Sequence, residues 1–335
     1  MCAMKLVKPA SSTFDIESVR AQLDDDWPAV NSEIMANLSS DVLLVNSVAH
    51  YIINSGGKRL RPLLVLLAAR ACGYGGDKHV LAAVIVEFIH TATLLHDDVV
   101  DESALRRGQD TANTVFGNQA SVLVGDFLYS RAFQLMVRVG QMRIMDVLAD
   151  ATNTIAEGEV LQLMNCNDPD TTEQQYLDVI HRKTAKLFEA GMQIGAILAG
   201  QTRGVEDALA DYGRKLGTAF QLVDDALDYE STTEELGKNI GDDLAEGKPT
   251  LPLIHALRHA PAEEQLLIRA AVEEGGLENI DRIVATIKST GALAYTARRA
   301  HEFADEAVAA LKQVPDSEFK AALVALAEFA VARSY

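Results

Sequence analysis

The stretch LLHDDVVDESALRRG, residues 94–108, places three aspartates and two adjacent arginines directly after a run of apolar residues. The longer segment, DKHVLAAVIVEFIHTATLLHDDVVDES, has the apolar periodicity of a buried helix, so the charge falls where that helix ends. At helical spacing, Asp97, Asp98 and Asp101 should project to roughly one side. Like charges held together in this way repel one another, which predicts a bound cation at the helix end.

The same pattern returns in the second half of the chain. FQLVDDALD, residues 220–228, ends another apolar helical segment with Asp224, Asp225 and Asp228, and Gln221 lies one turn earlier. A single cluster of this kind is often only a solvated surface run. Two copies, each ending a buried helix, can face each other across a cavity, and carboxylates that leave room for water and phosphate oxygens favour Mg²⁺.

Composition limits both the fold and the ligands. The 335 residues are 48% hydrophobic and 6% aromatic, and long periodic apolar segments recur with almost no strand signal, which predicts an all-α protein. No linker, low-complexity tract or fixed-period repeat divides the chain, so we expect one domain over 1–335 with a flexible tail at 1–13. The net charge of −18 argues against general nucleic-acid binding, so an anionic ligand must be met by a local cluster of cations.

The cysteines and the apolar runs indicate a cytoplasmic protein. Cys2, Cys72 and Cys166 are too few and too scattered for a disulfide framework, and they fit a reducing compartment. The N-terminus lacks the apolar core of a secretory signal. The longest apolar runs are interrupted by polar or charged residues, so no transmembrane segment is expected.

Basic residues accompany both aspartate clusters. For any one of them an exposed salt bridge is the default interpretation. Because they also neighbour glycine turns, they are better candidates for holding phosphate groups. These residues are Lys58, Arg59 and Arg61 in GGKRLRP, the pair Arg106 and Arg107, Lys183 in HRKTAKL, and Lys238 and Lys248 in the polar segment LGKNIGDDLAEGKPT.

The ordered set GGKRLRP, DDVVDES…RRG, RKTA, FQLVDDALD and LGKNIGDDLAEGKPTLPL resembles the motifs of the trans-isoprenyl diphosphate synthases, the polyprenyl synthetase family. The resemblance runs from about residue 45 to 260. It implies an isoprenoid-synthase-type bundle of long helices around a central cavity, usually as a homodimer. It also implies a reaction in which an allylic diphosphate ionises, isopentenyl diphosphate attacks the carbocation, and the departing pyrophosphate takes the proton.

The resemblance implies a role for each matching residue. Two Mg²⁺ ions would bind Asp97 and Asp101, with Asp98 nearby, and a third would bind Asp224 with Asp225 and Asp228. The allylic diphosphate would be held by Arg106, Lys183, Thr184, Gln221, Lys238 and Lys248. The diphosphate of isopentenyl diphosphate would be held by Lys58, Arg61, His90 and Arg107. His96 and His181 match no ligand position, and we interpret both as structural.

Product length depends on the residues below the first aspartate motif. In the family, bulky aromatics four and five positions before the first aspartate stop chain growth, and here those positions are Thr93 and Ala92. The floor should therefore lie deeper, with Phe127, Phe133 and Met136 as candidates. The motif context most resembles bacterial octaprenyl-type synthases that supply quinone side chains. We expect an octaprenyl product, grown from farnesyl or geranylgeranyl diphosphate and delivered to the membrane, with nona- and decaprenyl close behind.

Three alternatives remain open at this point. A shorter-chain farnesyl or geranylgeranyl synthase would keep every motif. A terpene cyclase shares the fold, but it usually has a different second metal motif and needs no GGKRLRP. A non-catalytic partner subunit of a heteromeric synthase typically loses one or both aspartate motifs, whereas this chain keeps them.

Overall fold

The structure is a computed structural model that describes residues 15–230 and 241–332. Apart from two strands of two residues each, the regular elements in those ranges are helices, which confirms the predicted all-α fold. The tail predicted at 1–13 lies outside the described residues. The α-helices in chain order are α1 (Ile16–Ala21), α2 (Asp26–Leu38), α3 (Leu43–Asn54), α4 (Leu60–Ala71), α5 (Lys78–Val100), α6 (Ala112–Phe116), α7 (Asn118–Val139), α8 (Met142–Asn165), α9 (Glu173–Ile180), α10 (Lys186–Leu198), α11 (Arg203–Glu230), α12 (Asp242–Ala245), α13 (Leu251–His259), α14 (Ala262–Glu274), α15 (Ile280–Ser289), α16 (Ala292–Ala310) and α17 (Glu318–Ala332).

Helix α5 lies at the centre of the molecule. It packs against α2, α4, α7 and α10, and residues 82–89 are all buried. By length and composition α5 could cross a membrane, but 72% of its apolar window is buried inside the protein, which is the pattern of a core helix. Its C-terminal end emerges from the core as the charge begins, so the first aspartate motif stands on a rigid support.

An ion-paired cluster fastens α2 to α4 and α5. The guanidinium of Arg70 donates to both carboxylate oxygens of Asp26, at 2.7 and 2.6 Å. The fully buried His79 lies 2.9 Å from the same carboxylate. Arg70 and His79 keep the pKa of Asp26 below its ordinary value even though burial alone would raise it. The N-terminal helices are thereby held in register with the core.

The segment between α5 and α6 contains a small hairpin. Strands β1 (Leu105–Arg106) and β2 (Gln109–Asp110) pair antiparallel, with Leu105 opposite Asp110 and Arg106 opposite Gln109. The two turn residues, Arg107 and Gly108, have φ of 55° and 73°, as a tight two-residue hairpin turn requires. The hairpin fixes the directions of the two arginines, which an irregular loop could not do.

Helices α9 and α10 follow each other closely but do not form one regular helix. Helices α9 and α10 are joined by one π-helical turn over His181–Ala185, which contains Lys183 and Thr184. Such turns are uncommon, and they occur often at functional sites.

Glycines allow α10 and α11 to pack very closely. A Cβ atom on Gly213 would lie 2.5 Å from the carbonyl oxygen of Phe188, and one on Gly217 would lie 2.7 Å from the Cα of Ala185. Only glycine fits such approaches without a backbone shift. The close contact sets the second aspartate motif, on α11, beside the π turn.

Candidate active site

A cavity of about 680 Å³ is lined by the C-terminal ends of α5 and α11. The loop before α4, the hairpin, α8, the π turn and residues 242–250 complete its wall. The structure brings nearly all of the predicted metal- and diphosphate-binding residues to this wall. The two exceptions are Asp98, which lies behind the wall, and Lys238, which lies outside the described residues.

The first aspartate motif divides into two parts. Asp97 and Asp101 line the cavity, but Asp98 is fully buried and its carboxylate accepts two hydrogen bonds from Arg106, at 2.8 and 2.6 Å. The expectation that all three side chains project to one side is therefore wrong for Asp98. Residues 97 and 98 are about 100° apart around the helix axis, and the hairpin places Arg106 on the side of Asp98. Asp98 orients Arg106, which itself lines the cavity.

The second aspartate motif lies wholly on the cavity wall. Asp225 accepts hydrogen bonds from the hydroxyl of Tyr176 at 2.5 Å and from the side-chain amide of Gln221 at 2.7 Å. Burial raises the pKa of Asp225 to about 8, with Asp243 and Asp224 adding to the effect. Asp224 and Asp228 line the same wall. Together, Asp97, Asp101, Asp224, Asp225 and Asp228 form what we call the carboxylate end of the cavity.

Two lysines sit among these carboxylates. Nζ of Lys248 lies 2.9 Å from Asp101 and also pairs with Glu246. Nζ of Lys183 lies 2.6 Å from Glu159 and 3.8 Å from Asp97. Burial by itself would lower the pKa of both lysines, but the surrounding carboxylates raise it above its ordinary value, so both stay charged.

A hydrogen-bonded relay links the π turn to the second motif. Thr184 donates to the amide oxygen of Gln221 at 3.2 Å, and Gln221 donates onward to Asp225. All three side chains line the cavity. The predicted ligands Thr184 and Gln221 are thus oriented by the motif itself.

Another part of the cavity wall is basic, and we call Lys58, Arg61, His90 and Arg107 the arginine end. Arg61 contacts Nε2 of His90 at 3.0 Å and lies 4.5 Å from the centre of the Phe188 ring. Burial lowers the pKa of Arg61 to about 10. Burial and the neighbouring arginines hold the pKa of His90 well below its ordinary value, so its ring is neutral and accepts a hydrogen bond from Arg61.

Glu87 is the counter-charge of the arginine end. Its carboxylate is 7% exposed and lies 3.9 Å from Nε of Arg59. Burial raises the pKa of Glu87, while Arg59, Arg61 and Arg107 oppose that rise. Arg107 also donates to the carbonyl of Gly56, which ties the hairpin to the loop before α4.

The candidate chain-length residues are spread through the fold. Thr93 lines the cavity, whereas Ala92 is fully buried behind it. Phe127 packs partly buried against the core, Met136 is 1% exposed in the core, and Phe133 is 43% exposed on the surface of α7. The cavity reaches none of Phe127, Phe133 and Met136. His96 and His181, interpreted as structural, also lie outside the cavity wall.

Sequence reasoning missed several acidic residues of the wall. They are Glu87, Glu159, Asp242, Asp243 and Glu246. A signal existed for Glu87, because one carboxylate inside the apolar run AAVIVEFIH needs a buried partner. Asp242, Asp243 and Glu246 belong to the motif LGKNIGDDLAEGKPTLPL, from which only the lysines were predicted as ligands. Glu159 carries a further mark of a functional environment, since burial raises its pKa to about 7 against the opposing effect of Lys183.

Comparison with known proteins agrees with this arrangement. Residues 42–288 match the polyprenyl synthetase family model. The octaprenyl diphosphate synthase of Escherichia coli strain K12 is 54% identical over 321 residues, which cover 96% of this chain and 99% of that protein. The octaprenyl diphosphate synthase of Haemophilus influenzae is 55% identical over 323 residues, or 96% of this chain and 98% of that protein. A solved polyprenyl synthase from Caulobacter crescentus CB15, complexed with calcium and isoprenyl diphosphate, has a TM-score of 0.93 and 45% identity and covers 96% of this chain and 99% of its own.

Proposed function

The chain belongs to the polyprenyl synthetase family, and on that premise we propose that it is a long-chain trans-polyprenyl diphosphate synthase. It joins isopentenyl diphosphate units to an allylic diphosphate. In each cycle the bond from carbon to the allylic diphosphate oxygen breaks, the double bond of isopentenyl diphosphate forms the new carbon–carbon bond, and a proton leaves with pyrophosphate. The observation that carries the proposal is one cavity with two ends of opposite charge, because each end suits one diphosphate.

The arginine end would hold isopentenyl diphosphate. Lys58, Arg61 and Arg107 supply fixed positive charge, and guanidinium groups match diphosphate oxygens in pairs. His90 orients Arg61 and stays neutral, so it adds no charge that depends on pH near neutrality. Glu87 neutralises part of the charge that these groups would otherwise concentrate in one place.

The carboxylate end would hold the allylic diphosphate with the help of cations. Arg106, held by Asp98, would contact the diphosphate directly, as would Lys183, Thr184, Gln221 and Lys248. Lys238 is proposed for the same role from the resemblance, although it lies outside the described residues. The lysines now paired with carboxylates would exchange those partners for phosphate oxygens.

The donor set of the carboxylate end fits Mg²⁺, which prefers carboxylate oxygens and completes its coordination with water and phosphate. The ammonium groups of Lys183 and Lys248 already lie beside Asp97 and Asp101, which supports a cation site there. Within the described ranges, no three His, Cys, Asp or Glu side chains are grouped closely enough to hold a metal by themselves. We assign the five aspartates of the carboxylate end to two or three Mg²⁺. When bound, Mg²⁺ would supply the positive charge that stabilises the departing diphosphate.

We propose an octaprenyl product, which would serve as a quinone side chain. Identities of 54% and 55% to two bacterial octaprenyl diphosphate synthases support this length. The small side chain of Thr93, which lines the cavity, also supports this length because it is not a bulky floor. The test is to incubate the purified chain with isopentenyl diphosphate, farnesyl diphosphate and Mg²⁺, with and without chelator, and to determine product mass. A metal-dependent C40 product is expected, and a product that stops at C20 would refute the long-chain assignment.

Thr93 allows a sharper test of length. Because Thr93 lines the cavity, Thr93→Phe should place an aromatic ring below the carboxylate end and shorten the product. Thr93→Ser, which adds no bulk, should leave the length distribution unchanged. If both variants gave products of equal length, the growing chain would not pass Thr93.

We further propose a cytoplasmic homodimer in which the whole chain acts as one domain. Helices from both halves of the chain line one cavity, which supports a single domain. Free thiols at Cys72 and Cys166 agree with a reducing compartment. Apolar side chains exposed on α7 and α8 support a subunit interface; they are Val122, Leu123, Phe133, Val137, Val160, Leu163 and Met164. Sedimentation should give a dimer for the native chain and a monomer for Val137→Asp.

A further inference from the structure

The loop that carries Lys58 has an uncommon backbone conformation. Gly56, Gly57 and Arg59 have φ of 87°, 128° and 43°. A non-glycine residue such as Arg59 adopts a positive φ at a cost in free energy, so the surrounding structure must hold the loop. Lys58 and Arg61 extend from this loop and the helix turn that follows it, so its conformation decides where two groups of the arginine end lie.

Arg20, on α1, contacts this loop from outside the cavity. Its guanidinium donates a hydrogen bond to the carbonyl oxygen of Lys58 at 2.7 Å. The same guanidinium lies 4.7 Å from the centre of the Trp27 ring and pairs with Glu17. The Arg20 side chain is 17% exposed, and its hydrogen bond to the Lys58 carbonyl lies at the protein surface. Arg20 therefore connects the arginine end to an aromatic ring that does not line the cavity.

Trp27 is a fixed support for that contact. The preceding residue, Asp26, is held by both oxygens to Arg70, and the side chain of Asn31 donates to the Trp27 carbonyl at 3.1 Å. Asn31 in turn accepts a hydrogen bond from Arg59 at 2.5 Å. The loop is thus fastened to α2 twice, directly through Arg59 and indirectly through Arg20.

We propose that Arg20 is a positioning residue for the diphosphate of isopentenyl diphosphate. By fixing the peptide plane between Lys58 and Arg59, it holds the arginine end in a conformation ready for the ligand, which reduces the entropy lost on binding. Because the same guanidinium stacks on Trp27, occupation of the arginine end changes the surroundings of that ring. The identity of the ligand rests on the proposed function, whereas the coupling of Arg20, Lys58 and Trp27 holds for any diphosphate.

The first test is kinetic. Arg20→Ala should raise KM for isopentenyl diphosphate about tenfold, the size expected when a group that orients a ligand-binding residue is lost. Its kcat and its KM for the allylic substrate should stay within about twofold of the native values. Arg20→Lys keeps a donor for the Lys58 carbonyl and should restore part of the loss. An unchanged KM for isopentenyl diphosphate, or an equal rise in both KM values, would overturn the proposal.

The matched control is Arg298→Ala. Arg298 also lies over an aromatic ring, 5.0 Å from the centre of Tyr295, and pairs with a glutamate one turn away, at Glu302. It does not contact the loop, so its replacement should leave both KM values unchanged. A rise in KM for isopentenyl diphosphate in this variant would show that the effect is not specific to Arg20.

The second test does not need catalysis. Trp27 is the only tryptophan of the chain, so its fluorescence reports on this place alone. Inorganic pyrophosphate, added without metal to the full chain, should change the fluorescence of the native protein and of Arg298→Ala, and should leave that of Arg20→Ala unchanged. A signal that persists in Arg20→Ala would refute the coupling. If the native chain forms no polyprenyl product but keeps the Arg20-dependent signal, the proposed function fails and the positioning role stands.

Discussion

The carboxylate end and the arginine end of the cavity would bind the same chemical group by opposite means. At the carboxylate end five aspartates stand with Lys183 and Lys248, so a diphosphate is repelled until further positive charge arrives. At the arginine end three cations stand with Glu87, and the positive charge is already built in. The difference teaches that, on the proposed function, one substrate would need a metal ion for binding, whereas the other would need only the protein.

Removal of metal should give the largest difference in substrate binding between the two ends. With excess chelator, condensation should fall below detection, and binding of farnesyl diphosphate, followed by calorimetry, should weaken by at least about 100-fold. Binding of isopentenyl diphosphate in the same buffer should change by less than about threefold, because fixed cations hold it. Equal weakening of both substrates would mean that metal serves the arginine end as well.

Loss of one aspartate from either motif comes next in size. Asp97→Ala and Asp224→Ala should each lower kcat by about 1,000-fold, since each removes a carboxylate that would hold the Mg²⁺ on which the departing diphosphate depends. Asp146→Ala is a suitable control, because that carboxylate is 73% exposed on α8 and pairs only with Arg143 there. Full activity in either motif variant would refute a mechanism that uses both motifs.

The arginine end should show a smaller and selective loss. Arg61→Ala should raise KM for isopentenyl diphosphate by about 10- to 100-fold, which is the value of one charged hydrogen-bonding group. The KM for the allylic substrate should hardly move. Steady-state kinetics with each substrate varied in turn would decide this, and a parallel rise in both constants would contradict the division of the cavity.

The two ends should also respond differently to pH, and this is the smallest of the predicted effects. Burial raises the pKa of Asp225 to about 8, so below that pH a metal ion must displace a proton. The Mg²⁺ concentration for half-maximal activity should therefore fall about tenfold from about pH 7 to about pH 9. Arg61 has a pKa of about 10, so KM for isopentenyl diphosphate should be flat over that range and rise only above it. If KM for isopentenyl diphosphate changed over that range while the Mg²⁺ requirement stayed flat, the assigned roles of the two ends would be reversed.

The sequence was sufficient to predict the fold class, and nearly all of the described residues that it nominated as ligands lie on the cavity wall. The helix that ends at the first aspartate motif, the second motif on α11 and the basic residues of GGKRLRP were found by spacing, because helical periodicity and turn residues are local properties. The direction of the Asp98 side chain could not be predicted from local sequence, because its partner Arg106 is placed by a hairpin of only two residues per strand. Glu159 was missed because its role depends on Lys183, a partner that only the fold brings to it. Glu87 was missed although its place inside an apolar run was a signal.

The π turn at His181–Ala185 bears on how the chain evolved. A turn of this kind holds one residue more than an α-helical turn, so it can be regarded as the trace of a single inserted codon. Deletion of that codon would fuse α9 and α10 into one regular helix and rotate everything beyond the junction by about 100°. Lys183 and Thr184 would then turn relative to α10, whose packing against Gly213 cannot move with them. An evolutionary lineage that needs Lys183 and Thr184 in these positions therefore has to keep the π turn.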